Sequence, residues 1–273
     1  MINMTQSQGK DDLHSDCSNL FNCGNIQGVG YPFWGGNRPK SCGRLALQLA
    51  CEDNTASITI SNVKYKVLDF YPSKEVLQIV RDDFSTGICS PNFTNTVLDP
   101  ALFSMDNGYS YYTFFYGCPS LPPLNVPSPL LCTISGTDNK NVYVANGTTA
   151  GLENCFKSVV VPLPTSQTLF SQFLNNSGLA EIVQQGFGVR LGEDSAACRG
   201  CANSKGACGY DISKNTMVCY CPDGSSGSAK CAAPAAGGPQ GQPSSEGQQE
   251  CKAMKIPLVS SPNIWLNVTF HGG

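Results

Sequence analysis

Histidine is nearly absent from the 273-residue chain: only His14 and His271 occur, one near each end. Catalytic schemes that need an imidazole inside the folded body therefore have no residue to use. Charge is sparse too, with 14% Asp, Glu, Lys and Arg and a formal net charge of −3. That excludes a strongly basic nucleic-acid binder and a polyacidic tail protein. No apolar run approaches the roughly 18 residues that would read as a membrane span, and no repeat recurs at a fixed period. The Gly-rich loop with catalytic Lys, H-R-D and D-F-G of kinases are missing, as are H-E-x-x-H and G-x-S-x-G. The adjacent carboxylates Asp82-Asp83 and Glu193-Asp194 would point to opposite faces of a strand, which does not assemble a hydrolytic pair. The expectation is a protein without catalytic residues and without a cofactor or metal.

What the chain has in abundance is cysteine, fifteen in all, with 28 Gly and 18 Pro. That density belongs to an oxidising compartment, where disulfides replace part of a core. Sequons at Asn3, Asn92, Asn146, Asn175 and Asn267 agree with it, and the last four are the candidate glycosylation sites. Residues 1–16 are polar and contain no apolar h-region, so no secretory signal peptide is visible there. The cysteines still place the protein outside the cell or in the cell wall.

The cysteines group as Cys17, Cys23, Cys42, Cys51, Cys89 and Cys118, then Cys132 and Cys155, then Cys198, Cys201, Cys208, Cys219, Cys221 and Cys231. Pairing within groups would leave Cys251 over. Between them, Ser57-Ile58-Thr59-Ile60, Tyr65-Lys66-Val67-Leu68, residues 76–80, residues 111–116 and Ser158-Val159-Val160-Val161 read as strands bounded by turn residues. Leu169, Phe170, Phe173 and Leu174, then Leu179, Ile182 and Val183, follow helical spacing on either side of a break. The proline-rich stretch 121–131 reads as a boundary, and 232–273 as a flexible tail whose first part is Ala, Gly, Pro, Gln and Ser. The expected fold is mainly β with a short helical segment, in two disulfide-rich modules: 1–16 a polar tail, 17–120 the first module, 132–231 the second.

The array from Cys198 to Cys231 admits two readings. Its CxxC-like pairs could close a zinc tetrahedron, but an even set in an extracellular context favours disulfides. The late C-x-C followed by a final Cys resembles the end of an EGF-like module, and that resemblance implies the pairs Cys198–Cys208, Cys201–Cys219 and Cys221–Cys231.

Phe21-Asn22-Cys23-Gly24, Gly30-Tyr31-Pro32-Phe33-Trp34, Cys42-Gly43, Leu47 and Cys51 resemble the galacturonan-binding domain of plant wall-associated receptor kinases. Tyr65 with Val67, Arg81-Asp82-Asp83 and Gly117-Cys118 continue the likeness. Cys155, Val159-Val160-Val161-Pro162, Gly186-Phe187 and the final cysteine array resemble the associated C-terminal domain, in the manner of leaf-rust-resistance-type receptor-like kinases. The resemblance implies non-catalytic binding of pectin or galacturonan by a cell-wall-sensing ectodomain, with family members anchored in the plasma membrane. The alternative function is a protein–protein recognition module of a defence receptor, with a protein co-receptor as partner.

An acidic polymer asks for cations on its carboxylates and flat faces against its sugar rings. Residues 17–66 carry five basic side chains against two acidic ones, whereas 67–118 carry two against six. The basic stretch also contains Tyr31, Phe33 and Trp34. The candidate ligand-binding residues are therefore Tyr31, Phe33, Trp34, Arg38, Lys40, Arg44, Lys64 and Lys66. The plainer alternative makes Tyr31 and Phe33 core residues and the lysines a solvated face.

Overall fold

Two-residue turns fold the start of the chain into antiparallel hairpins. Strand β1 (Phe21–Cys23) reaches β2 (Ile26–Val29) through Gly24-Asn25, β3 (Leu49–Glu52) reaches β4 (Thr55–Ile60) through Asp53-Asn54, and β4 reaches β5 (Val63–Tyr71) through Ser61-Asn62. Asp53, Asn54, Ser61 and Asn62 have φ of 48°, 59°, 47° and 65°. Two consecutive left-handed residues make the type I′ connection, whose twist matches that of the strands it joins. This is a computed structural model, and it describes residues 12–89, 92–118, 130–134, 137–146, 154–165, 176–192, 195–227 and 229–232. Most of the proline-rich stretch, residues 166–175 with the first helical spacing, and 233–273 lie outside the described residues.

The chain continues through β6 (Val76–Arg81), β7 (Phe103–Met105), β8 (Tyr109–Cys118), β9 (Leu130–Ile134), β10 (Thr137–Asn146) and β11 (Lys157–Pro164). Helix α2 (Asn176–Gln184) and β12 (Phe187–Leu191) follow, then helix α3 (Ser195–Asn203) and strands β13 (Ala207–Asp211), β14 (Thr216–Tyr220) and β15 (Ser226–Gly227). A first helix, α1 (Leu13–Ser18), is capped by the Asp12 side chain, so residues 12–16 of the expected polar tail are structured.

The sheets are antiparallel, and the two largest do not follow chain order. The largest runs β3-β4-β5-β6-β12-β7, a second runs β11-β8-β10-β9, and a third runs β13-β14-β15. Strand β12, from the part of the sequence assigned to the second module, thus pairs with β6 and β7 of the first. All described residues fall in one unit, Met1–Ala233.

Alternation decides which face is buried. On β5, Val63, Tyr65 and Val67 point inward while Lys64 and Lys66 point out. Inward residues of the six-stranded sheet pack with Phe21, Ile26, Phe33 and Leu47 in one core, which takes Phe187 and Val189 from β12. A second core lies between the β8–β11 sheet and Leu179, Ile182 and Val183 of α2. Arg81 ties the two together. Its buried guanidinium forks onto Asp83 at 3.0 and 2.7 Å and donates to the Thr94 carbonyl at 2.7 Å and the Thr96 hydroxyl at 3.2 Å. Thr96 in turn donates its N–H to the Val160 carbonyl of β11 at 2.9 Å.

Seven disulfides close the fold: Cys17–Cys42, Cys23–Cys51, Cys89–Cys132, Cys118–Cys155, Cys198–Cys208, Cys201–Cys219 and Cys221–Cys231. The expected six-two-six grouping is corrected, because Cys89 and Cys118 each reach across to the middle pair. The reason is sheet topology: β8 ends at Cys118 beside the start of β11, where Cys155 lies. Loops of these sizes each stabilise the fold by about 3 kcal/mol in the chain-entropy account. The sulfurs of Cys219, Cys221 and Cys231 lie within 4.8 Å of one another. Each is in a disulfide and has no thiolate to offer zinc.

This sulfur cluster needs Gly206. A Cβ there would clash with Cys219 Sγ and lie 2.7 and 2.8 Å from the Sγ atoms of Cys201 and Cys231. Gly206→Ala is expected to lower stability by about 1–3 kcal/mol, read as a drop in the denaturant midpoint of the oxidised protein. An unchanged midpoint would show that the array has slack at this point.

Candidate functional site

The eight residues singled out by charge and aromaticity separate into four environments. Arg38 and Phe33 are inside. Phe33 is fully buried and meets the Phe70 ring edge-on, with centroids 6.0 Å apart. Arg38 is 1% exposed. Its Nε donates to the Phe33 carbonyl at 3.3 Å, Nη1 to the Cys17 carbonyl at 2.7 Å and to that of Asn19, and Nη2 to the Cys42 carbonyl at 3.1 Å. Burial draws its pKa down to about 10, which still leaves it charged at neutral pH. Both residues are therefore corrected from ligand contacts to structural ones, because a buried ring and a guanidinium spent on four carbonyls touch no polymer.

Trp34 and Arg44 come together, and Lys40 is an exposed cation four residues before Arg44. The half-buried Trp34 donates its indole N–H to the carbonyls of Arg44 and Leu45, at 2.9 and 3.2 Å. Lys40 is exposed at the start of a 3-10 turn (Lys40–Cys42), whose carbonyl accepts from Gly43 N–H at 3.4 Å. Arg44 lies over the Tyr210 ring, 5.3 Å from its centroid, and donates to the Ala101 carbonyl at 3.4 Å. Leu45, 49% exposed, completes the patch. A stacked guanidinium beside an indole edge suits an anionic sugar.

Lys64 and Lys66 lie on another surface, the outward side of β5. Each has an acidic neighbour: Glu52 at 2.9 Å from Lys64, and Asp82 at 3.3 Å from Lys66. Asp82 and Asp83 are thus engaged by Lys66 and Arg81 respectively, and sit on a 3-10 turn (Asp82–Phe84) rather than a strand.

Tyr31 lines a cleft of about 510 Å³ with Pro32, Phe70, Pro72, Glu75 and Arg199. Arg199 of α3 pairs with Glu75 of the β5–β6 turn at 2.8 Å. Neither Arg199 nor Tyr210 is reached by the charge count, which ends at residue 118, and Glu75 enters it only as one acid of the 67–118 stretch. Nothing local marks Arg199, a single cation on a short cysteine-bearing helix. Of the sequons, Asn92 is exposed and its side-chain oxygen accepts from the Thr94 hydroxyl at 3.0 Å. Asn146 is exposed at the end of β10, whereas Asn175 and Asn267 lie outside the described residues.

A disulfide-stapled, mainly β protein of this kind belongs to the class of disulfide-rich extracellular modules. Residues 17–81 match the family model described as wall-associated receptor kinase galacturonan-binding, and residues 132–224 match that described as wall-associated receptor kinase C-terminal. The chain belongs to the wall-associated-kinase ectodomain family, with these two domains in that order. It is similar to the Arabidopsis thaliana leaf rust 10 disease-resistance locus receptor-like protein kinase-like 1.4, 35% identical over 72% of this chain and 28% of the relative. It is also similar to the 2.4 relative from the same plant, 37% identical over 71% of this chain and 30% of that protein. The chain thus spans under a third of the length of these relatives. No solved structure matches it. Among the described residues no helix is long and apolar enough to cross a membrane. The disulfides and the family fit an extracellular location.

The structural role of Arg38 has a direct test. Arg38→Ala strands four carbonyls and is expected to cost about 2–4 kcal/mol in urea unfolding. Lys in its place, lacking the planar fork, should recover only part of that loss. A midpoint equal to wild type in Arg38→Ala would contradict the role.

Proposed function

We propose that this chain binds de-esterified galacturonan without cleaving it, as the ligand-sensing part of a cell-wall receptor. The observation that carries the reading is the match of residues 17–81 to a galacturonan-binding domain, within which Trp34 and Arg44 are hydrogen-bonded neighbours and Lys40 is an exposed cation. De-esterified galacturonan presents one carboxylate per ring. Lys40 answers as a point charge, Arg44 as a planar fork already stacked on Tyr210. Lys64 and Lys66 add a second cationic strip, where a polymer carboxylate exchanges with Glu52 or Asp82 at small cost because the pairs are solvent-screened. Each contact is weak, and the polymer compensates by repetition. The receptor part of the reading is supported by the likeness to receptor-like protein kinases. Of the two adjacent carboxylate pairs, Asp82 and Asp83 are held by basic partners, which favours binding over hydrolysis there, and Glu193-Asp194 lies outside the described residues.

Co-sedimentation with polygalacturonate tests it, with a neutral glucan as control. Wild type should be retained on the acidic polymer alone, and retention should fall as salt rises. Lys40→Gln with Arg44→Gln, which remove charge while keeping length, should weaken retention about tenfold with little change in unfolding midpoint. Equal retention on the neutral glucan, or progressive shortening of the polymer, would refute the reading.

A further inference from the structure

The cleft beside Tyr31 joins the two family domains in one site. We propose that it holds uronate units of the same polymer, with Arg199 taking a sugar carboxylate in exchange for Glu75. The inference rests on the galacturonan reading and extends it to the second domain.

Shape and lining fit a short stretch of sugar. The volume of about 510 Å³ lies inside the roughly 300–1,000 Å³ typical of small-ligand clefts. Tyr31, Phe70, Pro32 and Pro72 are among the lining residues, the side-chain types that pyranose rings stack on.

Charge points the same way. Arg38 and Arg199 line the cleft against the single carboxylate of Glu75. None of the ion pairs among the described residues includes Arg38. Its charge is offset only by carbonyl dipoles, so its field favours an anion in the cleft that it does not touch.

The Glu75–Arg199 pair is built to open. Arg199 is 65% exposed and engages Glu75 through Nη1 alone, so the rest of its fork is available to a second carboxylate. Glu75 has a φ of 56°, in the left-handed region where Gly or Asn sits at lower cost. Its carbonyl is pinned by the Leu191 N–H at 2.9 Å. A turn that uses a charged residue at such a position, with its carboxylate on the exposed cation of the cleft, holds Arg199 in place until a ligand replaces it.

The two halves of the pair should therefore answer oppositely to mutation. With de-esterified trigalacturonate as the probe, titrated into the full oxidised chain, Arg199→Gln should bind about fivefold more weakly. Glu75→Gln, which removes the competing carboxylate, should bind about two- to fivefold more tightly. The fully methyl-esterified trimer should distinguish neither variant from wild type. Equal weakening by both variants would make the pair structural and overturn the proposal. So would unchanged binding in both while Lys40→Gln with Arg44→Gln loses affinity, an outcome that leaves galacturonan binding itself intact. No binding of either trimer or of polygalacturonate by wild type would overturn both readings together.

Discussion

A charge buried without an acidic partner governs the first third of this protein. Taking a guanidinium out of water is costly, and Arg38 recovers the cost only if the carbonyls of Cys17, Asn19, Phe33 and Cys42 all converge on it. Those four come from helix α1, the segment after it, and the two ends of the Phe33–Cys42 loop. The Cys17–Cys42 disulfide fastens two of the same four residues. The consequence is a cross-braced corner that carries Tyr31, Trp34 and Arg44.

The same economy of placement runs through the sheets. Because β12 lies between β6 and β7, the two family domains do not behave as beads on a string. Arg81 adds a second tie, linking the six-stranded sheet to β11 through Thr96. A cleft lined by Tyr31 and Phe70 from one domain and Arg199 from the other therefore has a fixed geometry. In the proposed reading, the second domain therefore builds part of the ligand surface as well as supporting it.

Much of the fold was legible because strands advertise themselves by alternation. Val63, Tyr65 and Val67 against Lys64 and Lys66 is a period-2 signal, and the Asp53-Asn54 and Ser61-Asn62 turns punctuate it. Leu179, Ile182 and Val183 likewise gave helix α2. Helices α1 and α3 escaped because their buried positions are filled partly by cysteine, which reads as a disulfide residue before it reads as an apolar one. The site was only partly legible. Arg38 looked like its neighbours Lys40 and Arg44, since composition cannot say which cation of a basic stretch turns inward. Arg199 was invisible for the converse reason: its importance comes from Glu75, more than a hundred residues away.

The central claim is that an acidic polysaccharide lies along the face and cleft organised by this corner. Hydroxyl-radical footprinting of the full chain, with and without de-esterified polygalacturonate, tests it most directly. The account predicts protection of Tyr31 and Trp34, with the exposed Tyr111 and Phe156 of the second sheet region unchanged. Protection confined to Tyr111 and Phe156, with Tyr31 and Trp34 as reactive as in the free protein, would contradict it.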